Sequence, residues 1–274
     1  MITYPNAKIN LGLHVLNKRE DGFHNLESLF VPIPLKDALE ITPHQNENKP
    51  FIYSAYGLAV DTELEKNLIY KAWLLVSKRY SIPPIHCAFY KNIPMGAGLG
   101  GGSADAVFCL LLLNKVFQLQ IQQAELLEMA AQLGSDCPFF VLNQASFTSG
   151  RGEILEPYSI NLSGYYLVLV KPDVHISTAM AFSGVQKRGL EAAGELKSIL
   201  QLPIGEWKNK LVNDFEHSIF PQAPVIKKIK DELYQQGAIY ASMSGSGSSV
   251  YALFEQEIDL RKLFSEHFYF ATFL

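Results

Sequence analysis

The stretch Pro94-Met95-Gly96-Ala97-Gly98-Leu99-Gly100-Gly101-Gly102-Ser103-Ala104 decides how this chain folds. Glycine lets a backbone turn through positive φ and approach a ligand without a Cβ in the way. Successive N–H groups of such a run can point at one anion. Residues 85–90 before it read as a short strand. Residues 103–118 after it read as a helix, with Ser103 as its N-cap. A helix N-terminus carries partial positive charge, worth roughly 0.3–1 kcal/mol toward an anion. Strand, glycine loop and helix together read as a phosphate site.

Other glycine loops fit less well. Gly96, Gly98 and Gly101 spell GxGxxG, but a dinucleotide fold wants an acid about 20 residues on, at the end of a second strand. Residues 118–122 read Gln-Leu-Gln-Ile-Gln, with no acid. A P-loop wants lysine where Gly102 stands. A flexible linker has no reason to lie between a strand and a capped helix.

Outward from the loop, Ile9, Leu11, Leu13 and Val15 alternate with Lys8, Asn10, Gly12 and His14, the period of a half-buried strand. Residues 19–22 form a charged turn, and further strands are expected at 29–33, 38–42 and 51–56, with a polar loop at 44–50. A first long helix is expected over 64–80, with Leu68, Ala72, Leu75 and Val76 inward, and another over 124–133 ended by Gly134. Past Arg151 and Gly152 the pattern restarts. A strand is expected at 165–170, a helix at 221–236 stopped by Gly237, and strands at 239–243 and 250–254 around a Ser/Gly loop. A helix at 259–266 and a last strand at 268–273 close the chain. The expected domains are 1–150 and 151–274.

The chain of 274 residues has 48% hydrophobic and 18% charged residues, enough apolar material for a sizeable core. Its formal charge of -4 argues against nucleic acid as the main partner. Lys227, Lys228 and Lys230 run straight into Asp231 and Glu232, as a solvated helix face would. The cysteines, Cys87, Cys109 and Cys137, form no CxxC pair and no closed disulfide framework. Lys8 and Asn10 interrupt any signal-peptide core, and no apolar run reaches the roughly 20 residues of a membrane span. The expected compartment is a reducing cytoplasm, with no membrane partner.

Singly, the candidate chemical residues are weak. Asp136 lies in a proline turn, where aspartate usually binds its own backbone, although it could also take a proton from an attacking hydroxyl. Lys8, beside Asn10, could be a surface lysine or could stabilise phosphoryl charge. His24 alone reads as a turn residue. No histidine or cysteine spacing suggests a metal cage, and no nucleophile elbow is present.

Residues 5–13, Pro-Asn-Ala-Lys-Ile-Asn-Leu-Gly-Leu, the 94–104 run, and residues 243–249, Met-Ser-Gly-Ser-Gly-Ser-Ser, change these odds together. In this order and spacing, over nearly the whole chain, they resemble the GHMP kinases. Asp21-Gly22-Phe23-His24 and Gly134-Ser135-Asp136-Cys137-Pro138-Phe139-Phe140 narrow the resemblance. They look like the members that phosphorylate a cytidyl-diphosphate-linked methylerythritol in the non-mevalonate route to isoprenoid precursors.

The resemblance implies an α+β fold, with a ribosomal-protein-S5-like N-terminal domain, a ferredoxin-like C-terminal domain and the substrate site in the cleft between them. It implies ATP on the 94–104 loop, with Asn67 and Leu68 lining the adenine pocket. Mg²⁺ accompanies the phosphates, with Ser103 as the best protein ligand. Asp136 matches the general base, Lys8 its partner and Asn10 a substrate-binding position. His24 matches the residue at the cytosine edge, with Phe23 and Phe182 sandwiching the ring. Position 23 is commonly tyrosine in these members; phenylalanine keeps the stacking face and loses a hydroxyl contact. A monomer or weak homodimer is expected. Other readings are a homoserine- or mevalonate-type kinase, or a non-catalytic nucleotide-binding relative.

Overall fold

The computed structural model describes residues 1–60 and 62–274. In chain order the elements are β1 (Ile2–Thr3), β2 (Asn6–Lys18), β3 (His24–Lys36), β4 (Ala38–Pro43), β5 (Phe51–Gly57), α1 (Leu68–Arg79), β6 (Ile85–Lys91), α2 (Gly101–Val116), α3 (Gln123–Leu133) and α4 (Cys137–Leu142). Then follow β7 (Ser146–Ser149), β8 (Ile154–Pro157), β9 (Tyr166–Lys171), α5 (Thr178–Ser183), α6 (Glu195–Leu200), α7 (Phe215–Gln222), α8 (Pro224–Gln235), β10 (Tyr240–Met243), β11 (Val250–Phe254) and β12 (Phe268–Phe273).

One compact unit comprises Met1–Ala7, Leu35–Met95 and Gly100–Gln144. Its sheet has the order β1-β4-β6-β5, with β5 and β6 parallel and the other pairs antiparallel. Alternation puts Ile85, Cys87 and Phe89 on one face of β6, where they join Leu39 and Ile41. Ile69, Ala72, Trp73 and Val76 of α1 and Cys109, Leu110 and Leu113 of α2 cover that face. Helix α1 starts later than the apolar pattern suggests, because residues 64–66 form a 3₁₀ turn and Asn67 caps α1 by accepting from the Ile69 N–H at 2.8 Å. The buried stripe is therefore set from Ile69 rather than from Leu68.

Helix α2 also departs from expectation. Its N-cap is Gly100, at φ 68°, and not Ser103. Gly100 reaches the left-handed region without steric cost, so the helix starts at Gly101 and leaves the N–H groups of Gly101, Gly102 and Ser103 without a carbonyl behind them. After α3, Asp136 leads into α4, where a plain turn was expected. Pro138 falls in the first turn, where a missing N–H costs nothing.

The second unit comprises Lys8–Pro34, Gly96–Leu99 and Ala145–Leu274. The expected division at 150 is close to the break at 144/145, but residues 8–34 and 96–99 go with the later sequence. β3 pairs with β7 through Ser28–Thr148, Leu29–Phe147 and Phe30–Ser146, in a sheet of order β2-β3-β7-β8. β2 is not half-buried: Lys8 is 3% exposed, Asn10 1% and His14 0%. Its polar face is covered as fully as its apolar one.

The last sheet has the antiparallel order β10-β11-β9-β12. That is the ferredoxin-like order, with α5 to α8 in the first crossover. The helix expected at 259–266 is a set of turns, with Leu260 and Phe264 still buried. Eight residues nucleate a helix poorly without a cap, and here the Asp259 carboxylate accepts from the Arg261 N–H instead. The helix expected at 221–236 is broken at Ala223, because Pro224 cannot donate backward and pushes Ala223 out of helical geometry, to φ -134° and ψ 73°. Lys227 and Lys228 lie on the solvated face of α8, while Lys230 pairs with the buried Glu216 at 2.6 Å.

Candidate active site

In the first unit, Asn67, Leu68, Met95 and Gly102 of the candidate donor site line one cavity of about 140 Å³. Phe89, Lys91 and Asp105 line it too. Asn67 is fixed by capping α1. A small, mostly apolar hollow with a few fixed polar groups suits a flat heterocycle. It adjoins Gly102 in the first turn of α2, where the free N–H groups favour an anion.

Lys91 and Asp105 were not legible as site residues. An aspartate near the start of a helix reads as a response to the dipole, and nothing in sequence ties it to Lys91. Burial raises the Asp105 carboxyl well above the usual range, against the pull of Lys91. For Lys91, burial pulls down, but Asp105 and Asp37 outweigh it and the ammonium is held.

In the second unit, Gly96–Leu99 is fixed by the Ser/Gly loop between β10 and β11. Ser244 Oγ donates to the Gly98 carbonyl at 2.9 Å, and the Ser249 N–H donates to the Ala97 carbonyl at 3.2 Å. Gly98 has φ 74°, and a Cβ there would lie 1.9 Å from the Ser244 carbonyl oxygen. The 243–249 loop thus supports the glycine run. In sequence it carried only a resemblance, because its two flanking strands match no ordinary phosphate motif.

Lys8 leaves its expected solvated face. It is buried, its backbone N–H donates to the Leu99 carbonyl at 2.9 Å, and its ammonium lies 4.2 Å from the Phe30 ring centroid. Lys8 Nζ donates to Asn10 Oδ1 at 2.7 Å, and Asn10 Nδ2 donates to Ser28 Oγ at 2.8 Å. Both ends of the Asn10 amide are therefore engaged in orienting Lys8.

Asp136, in the first unit, stands at the N-cap of α4 without capping it through its side chain. Its neighbour Cys137 is a buried thiol, pushed up to about 11 by burial, with a hydrogen bond to Ser103 pulling the other way. Among the described residues no cluster of His, Cys, Asp and Glu could hold a metal. All three cysteines are free and buried.

His24 and Phe182 come together in the second unit. Their rings stack at 4.7 Å between centroids and 17° between planes. Phe182 meets Phe215 edge-on at 4.8 Å. Phe23 is 54% exposed, with the Arg151 guanidinium 5.0 Å from its ring centroid. The ring facing Phe182 is thus His24. Burial, and after it Lys187 and Lys18, lowers the His24 pKa and favours a neutral imidazole.

The GHMP kinases N terminal domain family matches residues 67–144, and the GHMP kinases C terminal family matches residues 181–269. A 4-diphosphocytidyl-2-C-methyl-D-erythritol kinase of Bacteroides fragilis (strain YCH46) is 53% identical over 99% of both chains. The chain belongs to the GHMP kinases. A crystal structure of 4-(cytidine 5'-diphospho)-2C-methyl-D-erythritol kinase superposes with a TM-score of 0.80 at 29% identity, covering 99% of this GHMP kinase and 98% of that chain. The Methanococcus jannaschii mevalonate kinase shares the fold, with a TM-score of 0.68 at 13% identity over 99% and 96% of the two chains. This GHMP kinase is thus a small-molecule phosphotransferase with the family's two-domain α+β fold.

Proposed function

We propose that this kinase transfers the γ-phosphoryl group of ATP to the C2 hydroxyl of 4-diphosphocytidyl-2-C-methyl-D-erythritol, in the non-mevalonate route to isopentenyl diphosphate. The full-length likeness to relatives of that name carries the reading. The geometry is consistent with it. The cavity beside Asn67 and Leu68 takes the adenine, and the glycine run with the first turn of α2 takes the phosphates. Phosphoryl transfer needs positioning and charge stabilisation more than covalent help.

Asp136 accepts the proton of the C2 hydroxyl. Lys8, aimed by Asn10, draws charge as the phosphoryl group moves. Asn10 acts through Lys8. Neutral His24 has both a donor and an acceptor nitrogen for the cytosine edge. The base takes its place at Phe182 as His24 turns from the ring, and Phe23 closes the other face. Each such stack is worth about 1–3 kcal/mol.

No protein cage for Mg²⁺ is needed, because this ion is usually held by one or two protein oxygens together with substrate phosphates. The Ser103 hydroxyl, beside the free N–H groups of α2, fits that role. When bound, Mg²⁺ neutralises phosphate charge. The proposed compartment is the cytoplasm; no helix among the described residues is long and apolar enough to cross a membrane.

The test is ATP consumption against a panel containing the cytidyl alcohol, homoserine and mevalonate. The expected kcat/KM for the cytidyl alcohol exceeds the others by at least about a thousandfold, as a site built around hydrogen bonds to its substrate rejects molecules lacking them. No turnover with the cytidyl compound overturns the acceptor assignment.

A further inference from the structure

Lys91 is the last residue of β6 and Asp105 lies in the first turns of α2, so they bracket the glycine loop in sequence. Lys91 Nζ donates to Asp37 Oδ2 at 2.6 Å and to Asp105 Oδ2 at 2.7 Å. The side chains of Lys91, Asp37 and Asp105 are 2%, 0% and 6% exposed. Asp37 Oδ1 accepts the N–H groups of Asn92 at 2.6 Å and Ile93 at 2.7 Å, the first residues beyond β6. Asp37 therefore holds the entrance to the loop, Asp105 belongs to the helix at its exit, and Lys91 joins the two.

The same ammonium lies directly beneath the start of α2, since a Cβ on Gly101 would be 3.1 Å from Lys91 Nζ. Lys91 and Asp105 also line the cavity shared with Asn67 and Leu68. One ionic group thus touches both parts of the donor site. Buried ion pairs contribute little net stability compared with apolar groups of the same volume. Asp105 Oδ1 has no hydrogen-bond partner among the described residues, so this triad is not an optimised stabilising network.

We propose that Asp37, Lys91 and Asp105 form a positioning clamp, which sets the base cavity and the phosphate loop in one register so that a nucleoside triphosphate engages both at once. The clamp rests on the reading of cavity and loop as the ATP site. Its members are positioning residues: Lys91 and Asp105 act by placing the start of α2 and the cavity wall, and Asp37 acts through Lys91 and the loop entrance.

Removing Lys91 would leave two buried carboxylates uncompensated and could unfold the protein. Asp105→Ala leaves the balanced Lys91–Asp37 pair, and Asp105→Asn restores an acceptor for Lys91. Calorimetric binding of ATP, adenosine and tripolyphosphate, without acceptor, distinguishes the outcomes. Asp105→Ala should weaken ATP binding by about tenfold or more, the scale of a lost charge-assisted hydrogen bond. Adenosine and tripolyphosphate alone should lose no more than about threefold, because neither spans the clamp. Asp105→Asn should recover most of the ATP affinity. Equal ATP binding by the parent and Asp105→Ala overturns the clamp and leaves the donor site standing. Equal losses for all three ligands reduce the triad to a structural role and overturn it as well. If the unmodified kinase binds no ATP, the donor reading falls and takes the clamp with it. Acceptor turnover is not used, so the acceptor assignment is tested separately.

Discussion

Asp136 begins α4 without spending its side chain on capping the helix. In the proposed reaction it is the general base, a role worth about 10²–10⁴-fold in rate. Asp136→Asn should keep both substrate KM values within about threefold and lower kcat by at least about a hundredfold. Steady-state kinetics with each substrate varied will check this, and near-normal kcat removes the assignment. His14 lies on the same strand as Lys8 and is fully buried, with neither ring nitrogen hydrogen-bonded among the described residues. Burial, then the Arg188 charge, lowers its pKa from 6.5 to about 4. Between those values the unfolded chain binds a proton that the folded chain refuses. The His14 contribution is therefore whole above pH 6.5 and is lost as pH falls toward 4, at about 1.4 kcal/mol per unit. Urea unfolding across that window should show a shallower pH slope for His14→Leu than for the parent. Parallel slopes count against it.

At the level of elements, the pattern that carried the fold was local. The alternation of β2, the glycine run and the apolar residues of α2 are each readable within a dozen positions. What escaped was set by distant partners. The polar face of β2 looked solvated because Phe30 and Ser28, which meet Lys8 and Asn10, come from another strand. The N-cap of α2 moved to Gly100 because two further glycines follow it, and a serine three places on is the better cap only by composition. The turns at 259–266 keep the buried Leu260 and Phe264 that suggested a helix, so the spacing marked burial correctly and the backbone wrongly. In the candidate site, Lys8, Asp136 and His24 became legible through family resemblance. Asp37, Lys91 and Asp105 did not, because their meaning lies in a junction between residues 54 and 14 apart in sequence.

For the whole molecule, the two compact units are each assembled from separated pieces of chain. The second unit takes β2 and β3 from the start of the sequence and pairs β3 with β7. A cut at 150 separates β7 from β8, which pair through Ser146–Pro157 to Ser149–Ile154. Fragments 1–150 and 151–274, produced alone, should therefore lack native near-ultraviolet dichroism and cooperative thermal unfolding. Cooperative unfolding of the isolated 151–274 fragment would show that residues 8–34 are dispensable to it.

The bond from Ser244 Oγ to the Gly98 carbonyl joins residues 146 apart in sequence. At roughly 5–20 residues per second of synthesis, the glycine run waits on the order of 10–30 s after leaving the ribosome for the serine that holds it. Through the synthesis of those 146 residues the glycine run is untethered, so the proposed ATP cradle is not yet built to assist the early stages of folding. Quality control that samples the growing polypeptide meets a glycine-rich segment whose shape is conferred only by a serine made 146 residues later.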